Sequence, residues 1–405
     1  MTVPKIRFKE FDGDWKIKKL GNSFNLISGY AFPSSASVDK GAKWLKIADV
    51  GIQEMTPSSL SYLPHEFLEK YPQFIVSKDD YVIALTRPIL NKKLKIAKVG
   101  SSYDGALLNQ RVAKIQTNEN DLGFIYSLLQ KSKTVEELEN SISGTDPPNL
   151  SLNDVKDIRL GFPSIEEQTK IASFLSTVDE KINQLTQKHQ LLSQYKQGMM
   201  QKLFSQQIRF KADDGSEFGE WKIGKLGDIT SIQGGFAFKS TNFGKGMTKV
   251  IRIGDIEKNI NLDSFTGIYS NEIPDTRYLI SENAIVMALS GATFGKLGKV
   301  NQGYAYINQR VATFKVFEDS LNEFVYQIML SQEFTTYIQS IPSASAQPNI
   351  SNQDVINFEM MIPCLEEQTK IANFLSAIDQ KINVVSGQLE QAKLWKKGLL
   401  QQMFV

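Results

Sequence analysis

Several fragments of this 405-residue chain look like places where chemistry is done. Asp146-Pro147-Pro148-Asn149 has the outline of the Asp/Asn-Pro-Pro-aromatic loop of amino-group methyltransferases. Its fourth position is Asn, which has no aromatic face to stack on a flipped base. The matching stretch late in the chain reads Gln347-Pro348-Asn349, so only Pro-Asn is shared, and no convincing glycine-rich cofactor loop follows a strand upstream. Gly291-Ala292-Thr293-Phe294-Gly295-Lys296-Leu297 is one residue short of a phosphate-cradling P-loop and lacks the hydroxyl residue after its lysine. His65 and His189 are the only histidines, and Cys364 the only cysteine. One thiol excludes an internal disulfide and any zinc site built on several thiolates. His189 falls on an apolar helix stripe, where it is expected to pack or hydrogen-bond. Cys364 is expected as a packed thiol, since neither histidine is placed to activate it. Glu166-Glu167 and Glu366-Glu367 suit the first turn of a helix, where the macrodipole favours negative charge. No activated nucleophile and no metal site can be assembled, so the chain reads as a binder.

The elements that carry these residues occur twice. Residues 166–204 (EEQTKIASFLSTVDEKINQLTQKHQLLSQYKQGMMQKLF) and 366–404 (EEQTKIANFLSAIDQKINVVSGQLEQAKLWKKGLLQQMF) match at 18 of 39 positions without a gap. Weaker echoes extend the repeat. Trp15-Lys16-Ile17 pairs with Trp221-Lys222-Ile223, ISGYAF with IQGGFAF, WLKIADV with VIRIGDI, NQRVAKI with NQRVATF, and Pro148-Asn149 with Pro348-Asn349. The period is too long for a solenoid, so the chain is expected to be two pseudo-equivalent halves.

Each half has two characters. Its first ~160 residues are rich in Gly, aromatic and β-branched residues, with short apolar runs such as YVIAL (81–85) and AIVMAL (284–289) that predict strands of a mixed domain. DLGFIYSLLQKS (121–132) and LNEFVYQIMLSQEF (321–334) predict one short helix in each copy. The last ~40 residues carry apolar side chains at alternating spacings of four and three, the seam of a coiled coil. The expected seam is Ile171, Leu175, Val178, Ile182, Leu185 and Leu192 against Ile371, Leu375, Ile378, Ile382, Val385 and Leu389. A helix with so polar an outer face must bury its stripe, and its twin is the obvious partner. The plainest reading of these helices is a joint between two domains or a dimer zipper. Identity concentrated in EEQTKI and FLS instead hints at a second surface on which something docks.

Composition sets the remaining bounds. With 41% hydrophobic and 22% charged residues, the chain buries an ordinary core. Its net charge of +2 is no general phosphate-binding coat. MTVPKIRFKEFDGDWK has no signal-peptide core, and no 18-residue apolar stretch occurs. A soluble, cytoplasmic chain is expected, with no membrane partner.

Taken in order, these features resemble the DNA-specificity subunit of a type I restriction-modification system. The resemblance rests on two variable domains alternating with two helices that open on EEQxKIAxFLS. Each domain has a Gly-aromatic-Ala-Phe turn (Gly29-Tyr30-Ala31-Phe32; Gly235-Phe236-Ala237-Phe238) and a strand end of the type Lys46-Ile47-Ala48-Asp49 or Arg252-Ile253-Gly254-Asp255. Each closes on Pro148-Asn149-Leu150-Ser151 or Pro348-Asn349-Ile350-Ser351. The resemblance covers the whole chain. It implies an α+β architecture: two globular mixed α/β target-recognition domains (1–163 and 205–363), a central helix (164–204) and a C-terminal helix (364–405). The two helices would form an antiparallel coiled coil about a pseudo-two-fold axis. Each domain would read one half of a bipartite, asymmetric site in double-stranded DNA, and the helices would set the unread spacer. Two adenine methyltransferase subunits would dock on the helices and restriction subunits would join them. The chain would hold no cofactor, S-adenosylmethionine, ATP and Mg being expected on partner subunits, and would not itself be an enzyme.

Groove-reading side chains are Arg, Lys, Asn, Gln, Ser and Thr. In the first domain the loop after YVIAL supplies Thr86, Arg87, Asn91, Lys92, Lys93 and Lys95. In the second, Ser290, Thr293 and Lys296 follow AIVMAL. Lys46 and Arg252 are candidates for phosphate contact, and Ser34 and Ser240 for either. Arg111 and Arg310, with Asn109, Gln110, Asn308 and Gln309, repeat in both domains, which suits a structural or backbone-binding role. Net charge is +3 over 1–165, −3 over 205–365 and +1 in each helix segment. An acidic second reader must rely on a local basic face and on its partners. The alternative is a tandem coiled-coil adaptor that holds protein partners without reading DNA. A truncated, inhibitory relative is disfavoured by a second helix that runs in full to Phe404-Val405.

Overall fold

The computed structural model describes residues 3–57, 60–142, 147–341 and 349–405. The chain divides into two compact units, Met1–Thr186 with Gly387–Val405, and Gln187–Ser386. Each unit therefore holds one globular domain and a stretch of both long helices. The four segments expected from the sequence follow chain order, whereas the compact units cross the helices.

In the first unit an antiparallel sheet runs Asn25–Ser28, Val112–Gln116, Tyr81–Ala84, Ile96–Lys98. A second runs Tyr62–Leu63, Ala42–Leu45, Ala106–Leu108, Ile75–Val76, with a parallel pairing at Leu107–Trp44. The second unit repeats the plan. One sheet runs Thr230–Gly234, Val311–Val316, Ile285–Ala288, Leu297–Gln302, Asn259–Asn261, and the other Ile268–Ser270, Phe243–Ile251, Ala305–Ile307, Leu279–Ile280. Its parallel pairing, Val250–Tyr306, is the counterpart of Leu107–Trp44.

The uninterrupted apolar runs are the inner strands, and pleating sorts their side chains into two cores. Ile83 joins a core with Phe124 and Trp15, while Val82 and Ala84 face another with Leu45 and Leu108. Ile285 and Met287 likewise face Phe324 and Trp221, and Val286 and Ala288 face Ile251 and Ile307. Both faces being covered, alternation is lost from the sequence.

The single short helix expected in each copy is corrected to two. Leu122–Leu128 is followed by Ser132–Ile142, and Asn322–Met329 by Gln332–Ser340. The break has a local cause in the second copy, where the Ser331 side chain accepts from the Phe334 N–H and starts a new helix. Buried Val135 and Leu138, and Phe334 and Ile338, hold the added helices to the cores.

The long helices span Ile165–Phe204 and Leu365–Gln402, 40 and 38 residues. At 1.5 Å per residue each is roughly 60 Å long. In the first unit Ile171, Leu175 and Val178 share a core with Leu399, Leu400, Met403 and Phe404. In the second, Ile371 and Leu375 share one with Met200 and Leu203. In both units the start of one helix lies beside the end of the other, so the pairing is antiparallel. Ile171, Leu175, Val178, Ile371 and Leu375 thus pack into globular cores as well as against the opposing helix. Leu185, Ile378, Ile382 and Val385 are buried, and Ile182, Leu192 and Leu389 are half-buried.

Candidate nucleic-acid interface

Motifs scattered along the sequence meet along one rim of each domain. In the first, the Tyr30 N–H donates to Leu108 O and the Gln110 N–H to Tyr30 O, joining the Gly-Tyr-Ala-Phe turn to the Asn-Gln-Arg turn. The Asn109 N–H donates to Leu45 O, which brings in the strand end before Lys46. The Leu85 N–H donates to Arg111 O, and the Arg87 N–H to Pro148 O, adding the loop after Tyr81–Ala84 and the Pro-Asn segment. Thr86 Oγ1 donates to Asn149 Oδ1 at 2.7 Å. The second domain repeats three of these links, from Phe236 to Ile307 O, Asn308 to Ile251 O and Leu289 to Arg310 O, and its Ile350 N–H, donating to Leu289 O, matches the Leu150 N–H donating to Leu85 O in the first. There Arg310 Nη1 donates to Asn349 Oδ1 at 3.2 Å.

The repeated glycines follow from this crowding. A Cβ on Gly29 would sit 2.2 Å from Leu108 O, and one on Gly235 2.1 Å from Asn308 O. Only glycine permits that approach.

Each candidate residue has a definite place. Ser34 and Ser240 are exposed and open short 3-10 turns, Ser34–Ala36 and Ser240–Asn242. Asn91 and Lys92, both at positive φ, form the two-residue turn of a hairpin between Ile89–Leu90 and Lys93–Leu94. Arg87, Asn91, Lys92 and Lys93 are exposed. Lys95 is half-buried, donates to Ile47 O at 3.3 Å, and burial pushes its ammonium down. Arg111, Arg310 and Lys296 are exposed, and Ser290 and Thr293 half-buried. Lys46 and Arg252 share a backbone role, each N–H donating to the Asp three residues on, at 2.8 and 3.0 Å. Arg252 Nε is also 3.3 Å from Asp255 Oδ2, and Lys46 Nζ lies 4.2 Å from the centre of the Trp44 ring.

The P-loop-like stretch is a hairpin connection between Ile285–Ala288 and Leu297–Gln302, turned by Gly291 and Gly295 at φ +79. No helix follows it, so it lacks the helix N-terminus a phosphate cradle requires. Asp146, Gln347 and Pro348 lie outside the described residues. Cys364 is exposed, correcting the expected packed thiol. Among the described residues no group of three or more His, Cys, Asp or Glu is placed to hold a metal ion, and no helix is long and apolar enough to cross a membrane.

Of the repeated EEQ, the second glutamate and the glutamine turn inward, which accounts for their identity without a docked partner, while Glu166 and Glu366 stay exposed. Glu167, 1% exposed, accepts Arg7 Nε and Nη2 at 2.8 and 2.7 Å and Trp15 Nε1 at 3.3 Å. Glu367, 0% exposed, accepts Arg209 Nε and Nη2 at 3.1 and 2.7 Å and Trp221 Nε1 at 2.7 Å. Hydrogen bonding to these carboxylates raises both guanidinium pKa values. Gln168 accepts from the Asp121 N–H and Gln368 from the Leu321 N–H. The glutamates clamp the segment that enters each domain, and the glutamines the start of its first short helix, Leu122–Leu128 or Asn322–Met329, to the long helix. A signal was present: Ile6-Arg7-Phe8-Lys9 recurs as Ile208-Arg209-Phe210-Lys211.

A duplicated reader-like domain with loops exposed on a fixed rim, joined to paired helices, defines the class. The model of the type I restriction modification DNA specificity domain matches residues 12–193 and 219–394. The chain belongs to this family. It is similar to the type I restriction enzyme MjaVIII specificity subunit of Methanocaldococcus jannaschii, 31% identical over 212 residues, 52% of this chain and 50% of that one. The chain therefore spans about half the length of that relative. The MjaIX specificity subunit of the same organism is 21% identical over 425 residues, covering 98% and 96%. The crystal structure of the type I restriction-modification S subunit from M. genitalium superposes with a TM-score of 0.66 at 16% identity, covering 100% of this chain and 99% of that one, and shows the shared fold.

Proposed function

We propose that the chain is the sequence-reading subunit of a type I restriction-modification complex, with one domain for each half of a bipartite duplex site. One observation carries this. The rim shares four backbone links between the two domains, while the loops it displays differ, a hairpin at 89–94 carrying Lys92 and Lys93 in one and the Gly291–Lys296 turn in the other. A common frame with different loops suits an asymmetric site, unlike the palindrome of a homodimer. Arg111 and Arg310, shared and exposed, suit phosphate contact, and the unshared loop residues suit base edges.

The paired helices act as the ruler that sets the unread spacer, and two modification methyltransferase subunits dock on this chain, joined by restriction subunits. Methyl transfer, with S-adenosylmethionine, and cleavage, with ATP and Mg, belong to those partners. Two linked readers gain effective concentration for one another, so weak half-sites sum to strong selectivity. Co-expression with its modification partner, followed by adenine-methylation mapping, tests the reading. A bipartite motif with a constant spacer is expected. Stable co-purification without any methylated motif would favour the adaptor reading.

A further inference from the structure

Two lysines are buried where the long helices pair. Lys196 is 7% exposed and Lys396 4%. In the second unit, Lys196 Nζ lies 2.6 Å from Asp379 Oδ2, and the other carboxylate oxygen takes Lys258 Nζ at 2.9 Å. Gln327 Nε2 also donates to Asp379, at 2.9 Å. In the first unit, Lys396 Nζ lies 2.6 Å from Asp179 Oδ1 and donates to Gln53 Oε1 and Gln130 Oε1, both at 3.0 Å. Its three protons are thereby all used. Gln53 holds a positive φ of 64, a conformation costly for a side-chain-bearing residue, as it reaches the helix.

These pairs do not extend the rim or the Glu167 and Glu367 clamps. They join helix to helix, and through Gln53, Gln130, Lys258 and Gln327 they also hold each reader. Apolar seams alone tolerate slippage by a heptad, whereas a polar residue in the seam rejects every register that leaves it unpaired. The residue numbers of both pairs add to 575, so one antiparallel register satisfies both at once. A slip of seven residues either way would place Lys196 directly opposite Ala372 or Ser386, and Lys396 opposite Ala172 or Thr186. Neither lysine meets a carboxylate there, and both remain desolvated.

We propose that Lys196–Asp379 and Lys396–Asp179 are register pins, positioning residues that select the single helix alignment from which the spacer between half-sites follows. The consequence for DNA rests on the ruler reading above. One heptad of slip is about 10 Å along the helix, or about three base pairs.

The test replaces both pins with apolar residues (Lys196→Met, Asp379→Leu, Lys396→Met, Asp179→Leu) in the full chain. Spin labels go at Lys181 and Gln391, which line one groove of the first unit, in a Cys364→Ser background. The unpinned protein should give at least two label distances, the extra one longer by up to about 10 Å, where the pinned chain gives one. With its modification partner it should methylate sites of two spacer lengths. One native distance in a folded, unpinned protein overturns the pins. Two distances with one spacer length uphold the pins and refute the ruler. If the fourfold variant does not fold, each single-pair variant is labelled instead. The remaining pair, whose lysine would be left unpaired in any slipped register, should keep one distance, and two distances in either variant would overturn the pins.

Discussion

Replacing Arg209 with Met should cost the second unit about 3 kcal/mol, because it strands a carboxylate that has no water to turn to. Glu367 is 0% exposed and receives three donors, two of them from Arg209 at 3.1 and 2.7 Å. Removing one partner of a buried ion pair typically costs about 3–5 kcal/mol. Arg209 is 23% exposed, so solvent screens part of the attraction and the lower end applies. For a unit of this size, each kcal/mol lowers the melting midpoint by about 2–4 °C, which gives a fall of roughly 6–12 °C. Calorimetry on the full chain reads it. Lys211→Met is the control, since that lysine and Glu217 are 61% and 65% exposed and their pair is worth less than about 1 kcal/mol. Adding Glu367→Gln to Arg209→Met removes the stranded charge while keeping an acceptor for Trp221, and should restore at least about 1 kcal/mol. A single variant that loses less than the control's range, or a double variant no more stable than the single, would refute the clamp.

Three further outcomes follow from the same structure. Leu175→Asp and Leu375→Asp each bury an unpaired charge at side chains 1% and 0% exposed, and each should abolish folding or assembly; retained methylation would remove them from the core. Burial works to raise the Asp379 carboxyl, but Lys196, Lys258 and Gln327 outweigh it and hold the group below its ordinary 3.8. Its stabilising share is therefore complete above pH 3.8 and lost as pH falls through the depressed value, so urea midpoints of the native chain and Asp379→Asn should converge under acid, and a constant gap would contradict this. The purified chain, with readers of net charge +3 and −3, should bind its DNA weakly in physiological salt without partners, and nanomolar affinity would overturn that expectation.

The duplication, the long helices and the inner strands were legible because each leaves a periodic or repeated mark. The second short helix at Ser132–Ile142 was missed because a three-residue break, 129–131, reads as continuous helix in a purely apolar pattern. The inward role of Glu167 and Gln168 was not legible because sequence gives the residue type and not the partner, and Arg7 lies 160 residues from Glu167. Lys196 and Lys396 hid for a related reason, since a lysine within a helix ordinarily faces water and only its pairing with a distant aspartate marks it as buried. The rim was half-legible. Its glycines and Pro-Asn segments were visible as repeats, but the parallel pairings that bring them together involve strands far apart in sequence.

The central claim is that each rim reads its own half-site on a common frame. Exchanging the hairpin residues 89–94 for those of another family member, then mapping methylated adenines at single-molecule resolution, tests it most directly. The exchange should change the sequence of one half-site, with the other half-site and the spacer preserved. A motif altered in both halves, or one left wholly unchanged by the exchange, would contradict it.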